Sequence, residues 1–304
     1  MSMDIKTLAQ KIDSNKKLVS GHRTCAGCAI PIIVRTILSA TDDPLIVAAA
    51  TGCLEVTSTI YPYTSWNVPW IHNAFENVAA TLSGVESAYN ALRKKGKIDK
   101  EIKFIAFGGD GGLYDIGLQS LSGALERGHN CLYVCYNNEA YQNTGGQRSS
   151  GTPKGSMTST TPAGKKEKRK DLMQIVLAHH IDYAAQAAVH NTLDLYQKAE
   201  KAFKTKGPSF LNVLSPCTLN WGYMPNSTIQ ISKLAVETCF WPLYEVEKGK
   251  YKLNYKPSQK LPLEEFFKAQ KRFSHLLKPE NKNMLDEIQN EVDENWNELL
   301  RKSS

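Results

Sequence analysis

Residues 107–117, FGGDGGLYDIG, are rich in glycine, carry two aspartates and directly follow an apolar run. Backbone N–H groups at such a turn, and at the start of a helix after it, are suited to binding phosphate. The turn is not a P-loop because no Gly-Lys-Ser/Thr follows, and Tyr114 stands where a dinucleotide fingerprint needs its third glycine. The acid at its centre, Asp110, is explained if a metal ion lies between the protein and the phosphate.

A second oxygen donor for that metal ion is expected at the end of a neighbouring strand, where ligands of parallel sheets bind. The next apolar run, CLYVCY, ends in Asn137-Asn138, and residues 112–136 separate this pair from Gly109-Asp110-Gly111. Mg²⁺ prefers carboxylate, neutral-oxygen and phosphate ligands. The paired motif therefore predicts a phosphate group bridged to the protein by Mg²⁺, rather than an incidental tight turn.

Four cysteines stand out by their spacing, because Cys25-x-x-Cys28 is a pair while Cys53 and Cys217 each stand alone. The pair by itself is compatible with zinc, a redox couple or chance. A zinc ribbon has two such pairs, whereas one pair with two distant thiols suits a [4Fe–4S] cluster held by four thiolates. Both single cysteines follow predicted strands, so we expect them at the sheet edge that carries the glycine turn. The other thiols are expected to be buried and structural: Cys131, Cys135 and Cys239.

These residues require a scaffold in which strands alternate with helices. Short continuous apolar runs predict buried strands, at 44–50, 103–109, 130–138, 182–189 and 208–216. Helical periodicity predicts helices at 73–96, 115–128, 171–180 and 193–207. This alternation predicts an α/β fold with a mostly parallel sheet and helices on both faces. The polar residues 139–170 are expected to form a long loop, of the kind that is functional or disordered.

The C-terminal quarter has a different pattern. Residues 241–255 resemble a β-hairpin with Lys248-Gly249 at its turn, and residues 262–301 are charged and helical. We expect a C-terminal arm that contacts a partner subunit, rather than a second core. The predicted organisation is a ligand-binding domain over residues 1–225 and a C-terminal extension over residues 226–304.

Composition narrows the classes of function. The 304 residues are 41% hydrophobic and 22% charged, which is ordinary for a globular protein. The net charge of +7 is accompanied by no recognisable nucleic-acid-binding pattern. The polar N-terminus lacks the apolar stretch of a signal peptide, and no apolar run approaches the roughly 20 residues of a membrane span. We therefore expect a cytoplasmic protein that binds neither nucleic acid nor membrane.

Several longer motifs occur in order and identify a family: CAGC, TGCLEV, YPYTSWNVPWIHNAFENVAATLSG, GDGGLYDIG, YNNEAYQNTGGQRSSGTP and SPCTLNWG. Over residues 20 to 225 the chain resembles the β subunits of pyruvate:ferredoxin oxidoreductases. These are the thiamine-diphosphate-binding subunits of the 2-oxoacid:ferredoxin oxidoreductase family. The resemblance implies a thiamine-diphosphate-binding fold over residues 1–225.

The resemblance also implies roles for individual residues. Asp110 and Asn138 are expected to coordinate Mg²⁺ through their side chains, and Ala140 through its carbonyl. Asn143 is expected to contact the substrate. Further contacts to thiamine diphosphate are expected from the residues that surround it: Thr51, Gly52, Gly109, Gly111 and Gly112. One [4Fe–4S] cluster is expected on four thiolates: Cys25, Cys28, Cys53 and Cys217.

The implied reaction is the reversible oxidative decarboxylation of pyruvate with coenzyme A to acetyl-CoA, CO₂ and reduced ferredoxin. The implied partners are the α-, γ- and δ-type subunits of the same oxidoreductase. An alternative is the same chemistry on another 2-oxoacid, such as oxalate, 2-oxobutyrate or a branched-chain 2-oxoacid. A zinc-stabilised, nucleotide-binding regulatory protein is an alternative from a different class.

Thiamine chemistry needs a glutamate beside the aminopyrimidine ring, and only Glu55 and Glu76 are candidates here, so we expect another subunit to supply it. His72 is a candidate proton donor, although a structural role is favoured. The isolated chain is accordingly expected to be inactive. The basic residues Lys165, Lys166 and Lys168 are either ordinary surface charge, which is favoured, or a docking patch for an acidic ferredoxin.

Overall fold

The computed structural model describes residues 3–304 and contains an eight-stranded sheet. Its strands are β1 Leu45–Ala50, β2 Trp70–Asn73, β3 Lys103–Gly109, β4 Leu132–Asn137, β5 Tyr183–Ala188, β6 Ser209–Leu214, β7 Tyr244–Glu247 and β8 Lys250–Leu253. They lie in the order β2-β1-β3-β4-β6-β5-β7-β8. The first six strands pair in parallel, and β7 and β8 join in antiparallel fashion. The predicted α/β class with a mostly parallel sheet is confirmed.

Helices cover both faces of the sheet because its central strands are apolar on both sides. They are α1 Ile5–Ser14, α2 Ile30–Leu38, α3 Cys53–Ser58, α4 Val78–Lys94, α5 Leu118–Glu126, α6 Leu172–Leu177, α7 Thr192–Lys204, α8 Thr218–Trp221, α9 Thr228–Glu237, α10 Leu263–Lys268 and α11 Lys282–Lys302. Neighbouring residues of one strand, Val47 and Ala48, belong to two different core clusters, one on each face. Along residues 3–304, no helix is both long enough and apolar enough to cross a membrane.

Strand β2 and the start of α4 were missed by the sequence prediction. Residues 73–96 were predicted to be helical, but α4 begins only at Val78, and Trp70–Asn73 form an edge strand beside β1. The strand is only four residues long and mixes aromatic and polar side chains, so it has no apolar run. In the preceding aromatic stretch, Trp66 is buried whereas Tyr61 and Tyr63 are exposed.

The long segment 139–170 has little regular structure, as predicted, but much of it is packed into the fold. Antiparallel bridges join Tyr141 to Gln147 and Thr158 to Thr161. Its polar side chains Ser149, Thr152 and Ser156 are buried. The hydroxyl of Thr152 donates to the carbonyl of Glu139 at 2.6 Å. Side-chain hydrogen bonds thus replace the backbone ladder that this composition cannot form.

The C-terminal segment packs against the sheet of its own chain. The hairpin predicted at 241–255 is present as β7 and β8, which extend the sheet beyond β5. Leu263, Phe266 and Phe267 are completely buried and belong to the same core cluster as the strands. These apolar residues therefore cover one face of the sheet of their own chain. The expected contact of this segment with a partner subunit stays a prediction. The boundary between residues 225 and 226 stays a prediction.

Truncating Phe266 tests whether the C-terminal segment belongs to the core. Phe266 is 0% exposed, and its ring packs against Trp221, Phe240 and Phe273. We expect Phe266→Ala to lower the free energy of unfolding by about 3–5 kcal/mol, because it removes buried apolar contacts and leaves a cavity. The measurement is denaturant unfolding of the purified protein.

The matched control is Leu92→Ala, since Leu92 on α4 is 37% exposed. This change is expected to alter the same free energy by no more than about 0.5 kcal/mol. Equal costs for the two variants would contradict a core role for the C-terminal segment.

Candidate functional site

The glycine turn begins where β3 ends at Gly109 and continues as a π-helical turn over Gly111–Ile116 before α5. The Gly117 N–H donates to the carbonyl of Gly112 at 2.8 Å, which is the wider i→i+5 pattern. A Cβ atom at Gly111 would lie 2.3 Å from Cε1 of Tyr141, so no side chain fits there. The turn therefore presents bare backbone to the space at the strand ends.

Asp110 is completely buried beneath this turn. The hydroxyl of Ser149 donates to Oδ2, and the Asn138 N–H donates to Oδ1 at 3.3 Å. Burial raises the pKa of Asp110 to about 7, and the hydrogen bond from Ser149 opposes that rise. Such a carboxylate is strongly stabilised by a bound cation.

Three polar groups converge at this point. One terminal atom of the Asn138 side chain lies 2.9 Å from Oδ1 of Asp110 and 2.8 Å from the carbonyl oxygen of Ala140. With nitrogen in this place, the amide donates to both oxygens. Rotating the amide puts its oxygen there instead, and this oxygen then lies about 3 Å from each of the other two, the spacing of adjacent ligands in an octahedral Mg²⁺ shell. The donor set therefore fits Mg²⁺.

A cavity of about 290 Å³ opens above the glycine turn. It is lined by segments from four strand ends and the loop after β4: Thr51, Gly52, Cys53, Phe75, Gly109, Gly111, Gly112, Tyr136, Asn138, Ala140, Tyr141, Gln142, Asn143 and Thr144. The structure thus brings the predicted cofactor contacts together around one space, with Asp110 beneath it. Asn143 lies at the exposed rim. Their individual roles stay predictions.

Two features of the cavity were missed by the sequence reasoning. The hydroxyl of Tyr136 is buried and finds no hydrogen-bond partner within residues 3–304, although it borders the cavity. Asp115 anchors the loop after β4, because its Oδ2 accepts from the Tyr141 hydroxyl at 2.9 Å and from the Ser150 N–H at 3.1 Å. Asp115 is the second aspartate of the glycine-rich motif, and this was the sequence signal that could have identified it.

The four singled-out cysteines come from three separate segments near this cavity. Cys53 begins α3 and borders the cavity. The loop between Cys25 and Cys28 is tied to the segment after Cys217, since Thr218 Oγ1 donates to the Ala26 carbonyl at 3.3 Å. A second bond joins Thr228 Oγ1 to the Gly27 carbonyl at 2.6 Å.

Burial raises the pKa of the Cys53 thiol, and the nearby thiols of Cys217, Cys28 and Cys25 raise it further. Across residues 3–304, however, no group of three or more His, Cys, Asp or Glu side chains is arranged to hold a metal ion. The four thiols are neighbours without forming a closed ligand set. Cys131, Cys135 and Cys239 are buried, as expected. Their structural role stays a prediction.

The candidate glutamates do not border the cavity. Oε1 of Glu55 lies 2.9 Å from Nδ1 of His72, so the candidate glutamate and the candidate proton donor contact each other. Glu76 is exposed. None of the described residues that line the cavity is a glutamate.

The basic segment 164–170 is not a uniform surface patch. Lys165 is only 2% exposed, and its Nζ donates to the carbonyl of Thr152 at 2.6 Å. Burial lowers the pKa of Lys165 to about 8. Lys168 is exposed, and its Nζ lies 3.4 Å from Oε2 of Glu291. Treating Lys165 as docking charge or ordinary surface charge was therefore wrong.

Residues 50–213 match the family model described as "Thiamine pyrophosphate enzyme, C-terminal TPP binding domain". The chain is 55% identical to the pyruvate synthase subunit PorB of Thermotoga maritima, over 99% of this chain and 96% of that protein. It is 51% identical to PorB of Methanocaldococcus jannaschii, over 90% and 93%. It is also 43% identical to the ketoisovalerate oxidoreductase subunit VorB of Pyrococcus abyssi, over 93% and 92%.

A solved structure with the same fold is the 2-oxoglutarate:ferredoxin oxidoreductase from Magnetococcus marinus. The two chains superpose with a TM-score of 0.59 at 22% identity, covering 70% of each chain. The predicted thiamine-diphosphate-binding fold is confirmed by the family match and this likeness. The chain belongs to the PorB family of thiamine-diphosphate-binding β subunits of 2-oxoacid:ferredoxin oxidoreductases.

Proposed function

We propose that this chain is the subunit of a pyruvate:ferredoxin oxidoreductase that binds Mg²⁺–thiamine diphosphate and one [4Fe–4S] cluster. The complex converts pyruvate and coenzyme A to acetyl-CoA, CO₂ and reduced ferredoxin, and can run in reverse. The observation that carries the proposal is the cavity at the strand ends, because it joins the bare glycine turn to the three converging groups of Asp110, Asn138 and Ala140. A diphosphate with Mg²⁺ satisfies both features at once.

In this proposal the chain's residues bind and orient the cofactor. N–H groups of the π-helical turn at Gly111 and Gly112 donate to the diphosphate, while Asp110, Asn138 and the Ala140 carbonyl hold Mg²⁺. Phe75 and Tyr141, whose ring centroids lie 5.6 Å apart, form an aromatic part of the cavity wall. Thiamine diphosphate, when bound, supplies the electron sink for decarboxylation of a 2-oxoacid.

The second cofactor is proposed from the chemistry of its donors. Partial burial and the neighbouring thiols raise the pKa values of the half-buried Cys28 and Cys53, and metal ligation stabilises such groups as thiolates. Cys53 borders the cofactor cavity, so a cluster held there adjoins the thiamine site. The cluster, when bound, accepts electrons singly from that site.

Pyruvate is proposed as the substrate because the PorB relatives are named pyruvate synthase subunits. A branched-chain 2-oxoacid is the second candidate, since the ketoisovalerate oxidoreductase subunit of Pyrococcus abyssi is 43% identical. PorB of Pyrococcus furiosus is 42% identical, so identity at this distance does not separate the two substrates. Partner subunits are proposed to supply the missing glutamate and the coenzyme A contacts.

The metal ligand is tested with Asp110→Asn. Removing the charge of a buried ligand is expected to cost about 3 kcal/mol or more, so the Kd for thiamine diphosphate should rise roughly 100-fold or more at fixed Mg²⁺. Isothermal titration of the purified complex measures this Kd. Asp182→Asn is the matched control, since Asp182 is exposed beside the opposite end of β5. Wild-type affinity in Asp110→Asn would contradict the assignment.

The cluster is tested by metal analysis of the anaerobically purified complex and its Cys25→Ser and Cys217→Ser variants. The wild-type subunit should contain iron and acid-labile sulfide and no zinc. Each serine variant should lose most of this subunit's cluster, since one thiolate ligand is missing. Cys131→Ala, which removes a buried thiol beside β4, should retain it. Zinc in place of iron would overturn the proposal.

The substrate is tested by assaying the complex on pyruvate, 2-oxobutyrate, 2-oxoisovalerate and oxalate with a low-potential acceptor. We expect kcat/KM for pyruvate to exceed that for 2-oxoisovalerate by about tenfold or more. A pocket that fits the methyl group of pyruvate discriminates against each additional carbon of a larger side chain. A higher value for 2-oxoisovalerate would favour the second candidate substrate.

The isolated chain, loaded with both cofactors, should show no turnover. Turnover would refute the need for a partner's glutamate.

A further inference from the structure

Arg272 is a fully buried cation with no assigned role. It lies in the 3-10 segment Lys271–Leu277 of the C-terminal segment and is 2% exposed. Its Nε donates to Oε1 of Gln270 at 2.6 Å. Neither Nη1 nor Nη2 forms a hydrogen bond within the described chain, so the contacts of the guanidinium end are ionic and aromatic. A cation in this position requires an explanation, because an apolar side chain is usually as stabilising in a core.

The first contact of Arg272 is with the loop that carries the proposed metal ligands. Its Nη2 lies 2.6 Å from Oε2 of Glu139, which is itself completely buried. The other carboxylate oxygen of Glu139 lies 2.6 Å from Nη1 of Arg169. Glu139 has a φ of 62°, a left-handed conformation that is unfavourable for a residue with a side chain. The two arginines thus hold the residue between Asn138 and Ala140 in a conformation it does not prefer.

The second contact of Arg272 is with the segment that follows Cys217. Its guanidinium lies 3.6 Å from the centroid of a Trp221 ring. The indole N–H of Trp221 donates to the backbone carbonyl of Asn138 at 3.1 Å. The backbone N–H of Trp221 donates to the carbonyl of Cys217 at 3.2 Å. Trp221 therefore touches both the metal loop and the proposed cluster segment.

We propose that Arg272 is a positioning residue that fixes the metal loop around Asn138 and the Cys217 segment relative to each other. The inference rests on the proposed function, because both cofactors enter it. The ion pair to Glu139 holds one end of the metal loop, and the stacked Trp221 holds the Asn138 carbonyl and the backbone at Cys217. A single planar cation makes both contacts, which a lysine cannot do, since it has no flat face to stack. The C-terminal segment thereby becomes part of the cofactor site.

The test uses the assembled complex carrying Arg272→Met. We expect the Kd for thiamine diphosphate at fixed Mg²⁺ to rise roughly 10- to 100-fold, the usual effect of losing a residue that supports a metal ligand. The EPR spectrum of the subunit's reduced cluster should also change, because the backbone at Cys217 loses its support. Arg272→Lys, which keeps the charge for Glu139, should recover part of the affinity but not the spectrum.

The control is Lys198→Met, which breaks another buried ion pair. Lys198 is 1% exposed and lies 2.7 Å from Oδ2 of Asp194, on the opposite face of the sheet. This variant should lose comparable thermal stability while keeping cofactor affinity and the spectrum. Unchanged affinity and spectrum in Arg272→Met, or equal losses in Lys198→Met, would overturn the inference. If Arg272→Met does not assemble, Arg272→Lys decides by the same two measurements. A wild-type complex lacking cluster or Mg²⁺-dependent cofactor binding would instead refute the proposed function.

Discussion

The buried carboxylate of Asp110 is the constraint on which the site depends. A charge removed from water is strongly disfavoured unless a cation or several hydrogen bonds compensate for the lost solvation. Here the compensation within the chain comes from the Ser149 hydroxyl and the Asn138 N–H. Both donors lie outside the glycine turn, so the position of Asp110 requires the loop after β4 to close over it.

That closure explains why a segment of mostly polar residues is well packed. Asp115 accepts hydrogen bonds from Tyr141 and Ser150. Thr152 donates to the carbonyl of Glu139, and the buried Lys165 ammonium donates to the carbonyl of Thr152. Each bond satisfies a group that folding removes from water, which is the condition for burying a polar segment. The result is a packed wall on one side of the cavity, formed by Tyr141 and the residues next to it. A glycine at position 111 is then required by the Tyr141 ring that the closed loop places against it.

Much of the fold follows from local sequence patterns. The five apolar runs form β1, β3, β4, β5 and β6, because a strand buried on both faces must be apolar throughout. The hairpin of β7 and β8 was likewise predicted from its turn. Strand β2 was not, because it is a short edge strand whose pairing with β1 depends on a distant partner rather than on its own composition. The packing of α10 and the segment after it was also missed, because charged residues surround the buried Phe266 and Phe267.

The sequence by itself identified the candidate groups: a carboxylate in a glycine turn, an asparagine pair after the next strand, a Cys-x-x-Cys pair and two single cysteines that follow strands. These signals are local, since each depends on residue type and short-range spacing. Only the tertiary structure decided what surrounds them. The approach of Asn138 to Asp110 and the contacts of Arg272 with Glu139 and Trp221 join residues far apart in the chain. The burial of the Tyr136 hydroxyl without a hydrogen-bond partner among residues 3–304 likewise depends on which segments surround it. Such contacts are set by how the layers pack, and no local pattern encodes them.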